Sequence, residues 1–171
     1  GGAFITIDGQ ARVRIAALNA ISGLANSWNP GADSEPLTLV VSGTKVYAGG
    51  YFSTIGGQTR HFLAALNATT GIPTAWNPNA DNVVNDLKVS GARVYACGMF
   101  TTIGGQPRNY LAALDTTGGL ATAWNPNPSN SVQSLALNVN TIYAGGFFVT
   151  VGGQTRGSLA AIDLTTGLLT A

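Results

Sequence analysis

The chain has 171 residues, 45% hydrophobic and only 9% charged, with a formal net charge of +1. That length accommodates one domain with a sizeable core, and the hydrophobic fraction excludes disorder, which pairs low hydrophobicity with high charge. Near-neutrality removes the clustered Lys and Arg of a nucleic-acid or acidic-membrane binder, and no apolar run approaches the ~18 residues of a transmembrane helix. The lone Cys97 excludes an intrachain disulfide and a two-cysteine metal site. Glycine, 23 of 171 residues, has roughly twice the usual share of about 7%, without the three-residue period of collagen.

The chain repeats itself every 48 residues. Gly1-Gly2-Ala3-Phe4 returns as Gly49-Gly50-Tyr51-Phe52, Cys97-Gly98-Met99-Phe100 and Gly145-Gly146-Phe147-Phe148. Trp28, Trp76 and Trp124 keep the same interval, as do Arg12, Arg60, Arg108 and Arg156. In chain order this divides the sequence into a partial unit over 1–30, whole units over 31–78 and 79–126, and a nearly complete one over 127–171.

Within 79–126, Val84 to Val89 alternates as a strand and Ser90-Gly91 follows as a turn. Arg93 to Thr102 is a second strand, closed by Gly104-Gly105, a pair that accepts the positive φ angles of a type I′ hairpin. Arg108 to Asp115 is the third, ending in Thr116-Thr117-Gly118-Gly119. Leu120 to Trp124 is the fourth, stopped by Asn125-Pro126, since proline cannot donate to a ladder. No segment carries a helical period with caps. Four short strands, three tight turns and a proline-containing crossover predict an all-β fold, one β-propeller blade per 48 residues, with about three and a half blades present. Stacked blades bury both faces of each sheet, which accounts for the low charge. Glycine in Ala48-Gly49-Gly50 lets adjacent sheets approach.

Propellers close with four to eight blades, so three and a half leave bare edges. The expected partners are the remaining blades of the same chain or a second copy. Two copies would lack a 21-residue stretch at each junction, which favours a segment of a longer propeller. The Gly1-Gly2 start and the Leu168-Leu169-Thr170-Ala171 end agree with that expectation.

Leu63-Ala64-Ala65-Leu66-Asn67-Ala68-Thr69-Thr70-Gly71 with Ala75-Trp76-Asn77-Pro78, and Tyr95-Ala96-Cys97-Gly98-Met99-Phe100-Thr101-Thr102-Ile103-Gly104-Gly105-Gln106, resemble the bacterial delta-sixty-type propeller repeats. The resemblance covers essentially the whole chain. It implies a propeller in a secreted or surface-attached bacterial protein, with no catalytic residues to carry over. A weaker resemblance links Ala161-Ile162-Asp163-Leu164-Thr165-Thr166-Gly167 to quinone-dependent dehydrogenase blades, but their tryptophan falls one residue earlier than Trp76 does after Gly71.

Asn19, Asn67, Asp115 and Asp163 open the third turn, where a short Asx side chain accepts backbone N–H bonds ahead of a left-handed glycine. The acids could instead ligate metal or act as bases, but two of the four positions are Asn. Asn67-Ala68-Thr69 is also a formal glycosylation sequon, set in that same turn. Trp28, Trp76 and Trp124 at one fixed position read as inter-blade packing, with sugar stacking as the alternative; Phe4, Phe52, Phe100 and Phe148 read as core. The arginines are expected beside the Trp-Asn-Pro crossovers, stacked on the indole or bonded to carbonyls; an anion-recruiting ring is the alternative. His61 stands at a tolerant surface position, Cys97 reads as a small buried thiol, and Asp86 with Lys88 as a local ion pair on the innermost strand. Asp33, Glu35 and Asp81 lie in crossover loops, where oxygen ligands for Ca²⁺ are conceivable.

These residues name no cofactor, metal site or catalytic set. The expectation is a non-enzymatic extracellular scaffold or interaction module, with a protein or glycan ligand, no nucleic acid and no membrane insertion. A carbohydrate-binding propeller is the alternative; a hydrolase, lyase or quinoprotein fragment ranks below it.

Overall fold

The computed structural model describes residues 1–170, and every regular element among them is a β-strand. The partial N-terminal repeat forms a small hairpin, β1 (Thr6–Ile7) and β2 (Gln10–Ala11). The next repeat builds β3 (Pro36–Ser42), β4 (Lys45–Gly50), β5 (Thr54–Ile55), β6 (Gln58–Thr59) and β7 (Leu63–Asn67). The same five elements follow as β8 (Val84–Ser90), β9 (Arg93–Gly98), β10 (Thr102–Ile103), β11 (Gln106–Pro107) and β12 (Leu111–Asp115). They return once more as β13 (Val132–Leu137), β14 (Thr141–Gly146), β15 (Thr150–Val151), β16 (Gln154–Thr155) and β17 (Leu159–Asp163). Each full repeat makes one antiparallel sheet, ordered β3-β4-β7, β8-β9-β12 and β13-β14-β17, and carries one two-stranded hairpin beside it.

Turn chemistry sets these registers. Between β8 and β9 only Gly91 has positive φ (+55°), a type II′ pattern, whereas Gly104 (+61°) and Gly105 (+75°) are both left-handed, as type I′ requires. Asp8 and Gly9 (+52° and +67°) make the same turn in the first repeat.

Three elements differ from the sequence expectation. The second strand, expected over 93–102, stops at Gly98, and the third, expected over 108–115, begins only at Leu111, because a γ-turn separates the small hairpin from the sheet: Leu111 N–H donates to Asn109 O across Tyr110, whose φ is +63°. Phe62 and Ser158 hold the same left-handed conformation 48 residues away on either side. The fourth strand is reduced to one bridge per repeat, Leu66↔Pro73, Leu114↔Ala121 and Ile162↔Leu169. In the central copy Thr122 N–H still reaches Ala113 O, but the Thr122 hydroxyl then accepts from Trp124 N–H, and Arg108 occupies the Thr122 carbonyl. Those two bonds end the ladder.

The sheets pack face to face. Val94 and Ala96 of β9 join Tyr47, Leu63 and Trp76 in one core, while Tyr95 and Cys97 join Trp124, Val132 and Ile142 in the next. Both faces of the β8-β9-β12 sheet are therefore buried. Phe52, Phe100 and Phe148 are fully buried, but Phe4 is only half-buried, because the half repeat has no inner and middle strand to close over it.

Glycine fills two kinds of close approach. A Cβ on Gly98 would overlap the carbonyl of Val83, the residue just before β8, beside the bulge between Val84 and Asp86. A Cβ on Gly157 would meet nothing within 4 Å. Gly98→Ala is accordingly expected to cost about 3 kcal/mol, the upper end of overpacking, and Gly157→Ala under about 0.5 kcal/mol. Denaturant midpoints of the two variants check the difference.

Candidate functional site

The indole of each tryptophan is fixed by the following repeat. Trp28 Nε1–H donates to Asn67 O at 3.0 Å, Trp76 to Asp115 O at 2.8 Å and Trp124 to Asp163 O at 2.9 Å. Tyr47 meets Trp76 edge-on (centroids 4.9 Å apart, 79° between planes), and Tyr95 meets Trp124 likewise (5.1 Å, 80°). All three tryptophans are buried; Tyr47 and Tyr95 cover Trp76 and Trp124, whereas Trp28 borders an apolar opening.

The acceptor of each indole is the carbonyl of an Asx turn. Asn67 Oδ1 accepts from Thr69 and Thr70 N–H, Asp115 Oδ1 from Thr117 and Gly118, Asp163 Oδ1 from Thr165 and Thr166, and Asn19 Oδ1 from Ile21 and Ser22. Left-handed Gly23, Gly71, Gly119 and Gly167 complete these turns. Donation from Gly118 N–H foremost, joined by Leu120 and Thr117, holds the Asp115 carboxyl below its ordinary value; Thr166 does most to lower Asp163. The arginines fix the other end of the same crossover. Arg108 donates to Pro107 O (2.7 Å) and Thr122 O (2.6 Å), Arg60 to Thr59 O and Thr74 O (both 2.8 Å), and Arg12 to Ala11 O and Asn26 O. One bond of each reaches the carbonyl two residues before a tryptophan and the other the carbonyl of the preceding residue, with Gln10 and Gln58 Oε1 as further acceptors for Arg12 and Arg60; Arg156 donates to Thr155 O.

The remaining polar candidates are likewise engaged. Asp33 accepts from Ser53 N–H, Thr54 N–H and the Ser53 hydroxyl, and Asp81 from Thr101 N–H and two threonine hydroxyls. Burial raises both carboxyls, but these donors outweigh it and leave them below the ordinary value. Glu35 accepts from Ser34 and lies 3.6 Å from the Arg14 guanidinium. Among the described residues no three His, Cys, Asp or Glu side chains converge as metal ligands. On the inner strands Asp86 pairs with Lys88 at 2.8 Å and accepts from Thr38 Oγ1, Leu87 N–H and Leu135 N–H, so one carboxylate ties β3, β8 and β13 together. Cys97 is fully buried, and burial first, then the Asp86 charge, pushes its thiol far up, which removes it as a nucleophile. His61 is exposed.

Apolar side chains are exposed too. Tyr51 (50% exposed), Met99 (47%) and Phe147 (68%) occupy one register position in three successive repeats, just after β4, β9 and β14. They form a row of variable, exposed side chains on a rigid support. Sequence reasoning passed over this row because it sits next to the buried Phe52, Phe100 and Phe148. The available signal was its variation through Ala3, Tyr51, Met99 and Phe147 where the neighbouring Phe does not change. A second apolar opening, about 260 Å³, lies at the N-terminal end of the array against Trp28, Leu39, Val41 and Val46.

Two measurements address the crossover clamp. Arg108→Ala is expected to cost about 1–3 kcal/mol in denaturant unfolding, because two carbonyls lose a charged donor; Arg108→Lys should recover little, having no fork to span both. Acid titration tests the turns. A carboxyl lowered on folding contributes stability that is present above its unfolded value, near 3.9, and is lost as pH falls through the folded value. The D115N/D163N double variant should therefore lose less stability than the parent between about pH 5 and pH 2, with thermal midpoints at pH 7 and pH 3 as the readout.

No protein-family model matches the chain, and no curated protein matches it. Among solved structures it is similar to the computationally designed Ika4 protein, with a TM-score of 0.56 and 16% identity over 82% of this chain and 73% of that one. It is similar also to the computationally designed Ika8 protein, with a TM-score of 0.61 and 15% identity over 94% of this chain. The chain spans 43% of Ika8's length. At these identities the likeness is one of fold.

Proposed function

We propose that the chain is a β-propeller segment of about three and a half blades, serving as a non-enzymatic scaffold or interaction module of a larger secreted or surface-attached bacterial protein of the delta-sixty repeat type. One observation carries this reading: the tryptophan, arginine and Asx side chains that recur every 48 residues are spent on the array itself, the tryptophan bonding to the next repeat and the arginine and Asx groups to the backbone of their own, while a row of apolar side chains remains exposed. The propeller arrangement is supported by the unit itself, a short antiparallel sheet with tight turns and a proline crossover. On this reading the remaining blades complete the ring. The Tyr51, Met99 and Phe147 row then presents a protein ligand with a surface that changes without disturbing the sheets beneath.

Screening the chain against a glycan array and against panels of hydrolase and lyase substrates tests the proposal. The expected result is no sugar-competed binding and no turnover. Turnover that disappears in Asp86→Asn would overturn the scaffold reading in favour of an enzyme, and binding competed by free sugar would overturn it in favour of a lectin.

A further inference from the structure

Tyr51 and Met99 belong to repeats that have a neighbour on both sides, and each still exposes about half of its surface (50% and 47%). Their exposure therefore does not depend on the ends of the sequence, and Phe147 continues the row one repeat on. Backbone bonds place a crossover beside each of them. Tyr51 N–H donates to Glu35 O, Met99 N–H to Val83 O and Phe147 N–H to Ser131 O, all at 2.9 Å. The residue before each acceptor is Ser34, Asn82 or Asn130, at one register position. Asp81, on the other side of Asn82, accepts from Thr101 N–H, and Ser129, on the other side of Asn130, accepts from Val149 N–H. Both asparagines are thus held alongside the segment that carries the exposed apolar side chain of their own repeat.

The two amides are oriented alike. Asn82 Oδ1 accepts from Val83 N–H (2.8 Å) and Asn130 Oδ1 from Ser131 N–H (2.7 Å), so the carbonyl end of each side chain is turned back onto the crossover. Both residues are exposed, and among the described residues neither Nδ2 group has an acceptor. Each unit so made is an apolar side chain with an amide donor next to it. Charge is not part of the pattern: Glu35 lies against the Arg14 guanidinium, and Asp33 and Asp81 are occupied by donors of the neighbouring segment. The ligand that matches is uncharged, apolar at regular intervals and rich in unbonded carbonyls.

We propose that the row of Tyr51, Met99 and Phe147 is a docking surface for a proline-rich peptide in the polyproline II conformation. Period selects that backbone. Sheets packed face to face lie ~10 Å apart, and polyproline II repeats every three residues, about 9.3 Å, so residues i, i+3 and i+6 meet three successive repeats. An extended strand returns to one side every ~6.7 Å and falls out of step. A helix regains one face at i+7, about 10.5 Å, but its carbonyls are bonded internally and leave Asn82 and Asn130 without acceptors. Polyproline II has no internal hydrogen bonds and presents its carbonyls to donors. A sugar would need ring faces throughout, whereas the middle of the row is the Met99 thioether, a flexible group that adapts to a pyrrolidine ring. The inference rests on the interaction-module reading above and gives its partner a chemical class.

Met99 is the chain's one methionine, so its methyl carbon gives a single resonance at the centre of the row. The probe is an oligoproline peptide of about ten residues, roughly 31 Å long, titrated into the intact chain labelled at that methyl. A saturable shift of the Met99 resonance is expected. In calorimetry Met99→Lys should weaken binding at least about tenfold. The N82D/N130D double variant, which keeps each Oδ1 acceptor and loses the donor, should weaken it at least about threefold. Both variants should keep the parent's thermal midpoint, which separates a lost contact from a lost fold. Absence of a saturable shift overturns the proposal, as does binding that neither variant weakens. An equal response to a glycine-serine peptide of the same length, which lacks the polyproline II period, also overturns it. A methyl that responds to free sugar and not to oligoproline would overturn it in favour of a glycan. Turnover in the earlier screens together with a response to oligoproline would overturn the scaffold reading and leave the docking surface; silent screens with no response would overturn the docking surface alone.

Discussion

The structure depends on a hydrogen bond between each indole and a carbonyl of the next repeat. Trp76 lies at the end of one unit and Asp115 at the third turn of the following one, so each such bond fixes the spacing and the angle between two sheets. An indole buried between sheets must place its N–H on an acceptor or lose the bond it had with water. The Asx turn supplies that acceptor rigidly, because its own N–H groups are held by Asn67, Asp115 or Asp163, and a left-handed glycine lets the crossover lie flat on it. A Cβ on Gly119 would stand only 3.0 Å from Pro78 Cγ. Tryptophan, Asx, glycine and proline thus act as one unit distributed over two repeats.

That coupling explains where charge is tolerated. Sheets buried on both faces leave room for ionised groups only at strand ends and edges, and there most of them find a carbonyl or a backbone N–H. Lys45 reaches Thr116 O and Arg93 reaches Leu164 O in the following repeat, at 2.7 Å each. Charge-assisted bonds of this kind are short and hold their geometry. Low charge in the sequence is therefore a consequence of stacking, and the few charges present help to maintain the stack.

Much of this was legible in the sequence, because it follows from local chemistry repeated in register. Gly104-Gly105, the Asx-to-glycine spacing and the tryptophan interval each have one physical meaning wherever they occur. What was illegible depends on competition between neighbours. Leu120 to Trp124 has the composition of a strand, but it loses its ladder where Thr122 turns its hydroxyl to Trp124 N–H and its carbonyl to Arg108, a choice that single-strand propensity does not contain. Tyr110 at φ +63° is also hidden, since a bulky residue is a poor candidate for the left-handed region and adopts it here only because the γ-turn joins two strand pairs of fixed register. The exposed Tyr51 row was obscured by a different effect: alternation along a strand does not say which side is covered once the strand has ended.

The repeats are alike but not interchangeable. A Cβ on Gly49 would come within 2.7 Å of Val84 Cγ1 in the next sheet, so that interface admits only glycine at this point. Its counterpart in the following repeat is Cys97, fully buried in the core that contains Val132, the residue corresponding to Val84. The same contact position thus carries a hydrogen in one interface and a thiol-bearing methylene in the next, and the two pairs of sheets cannot pack identically. Asp86 and Lys88 lie on the inner strand of the same sheet as Cys97, and Asp86 bonds to Thr38 on one side and to Leu135 on the other. The central repeat is therefore matched to both neighbours by residues that the other copies lack. Order along the array is set by these few departures from the repeat, while the residues that do repeat set its spacing.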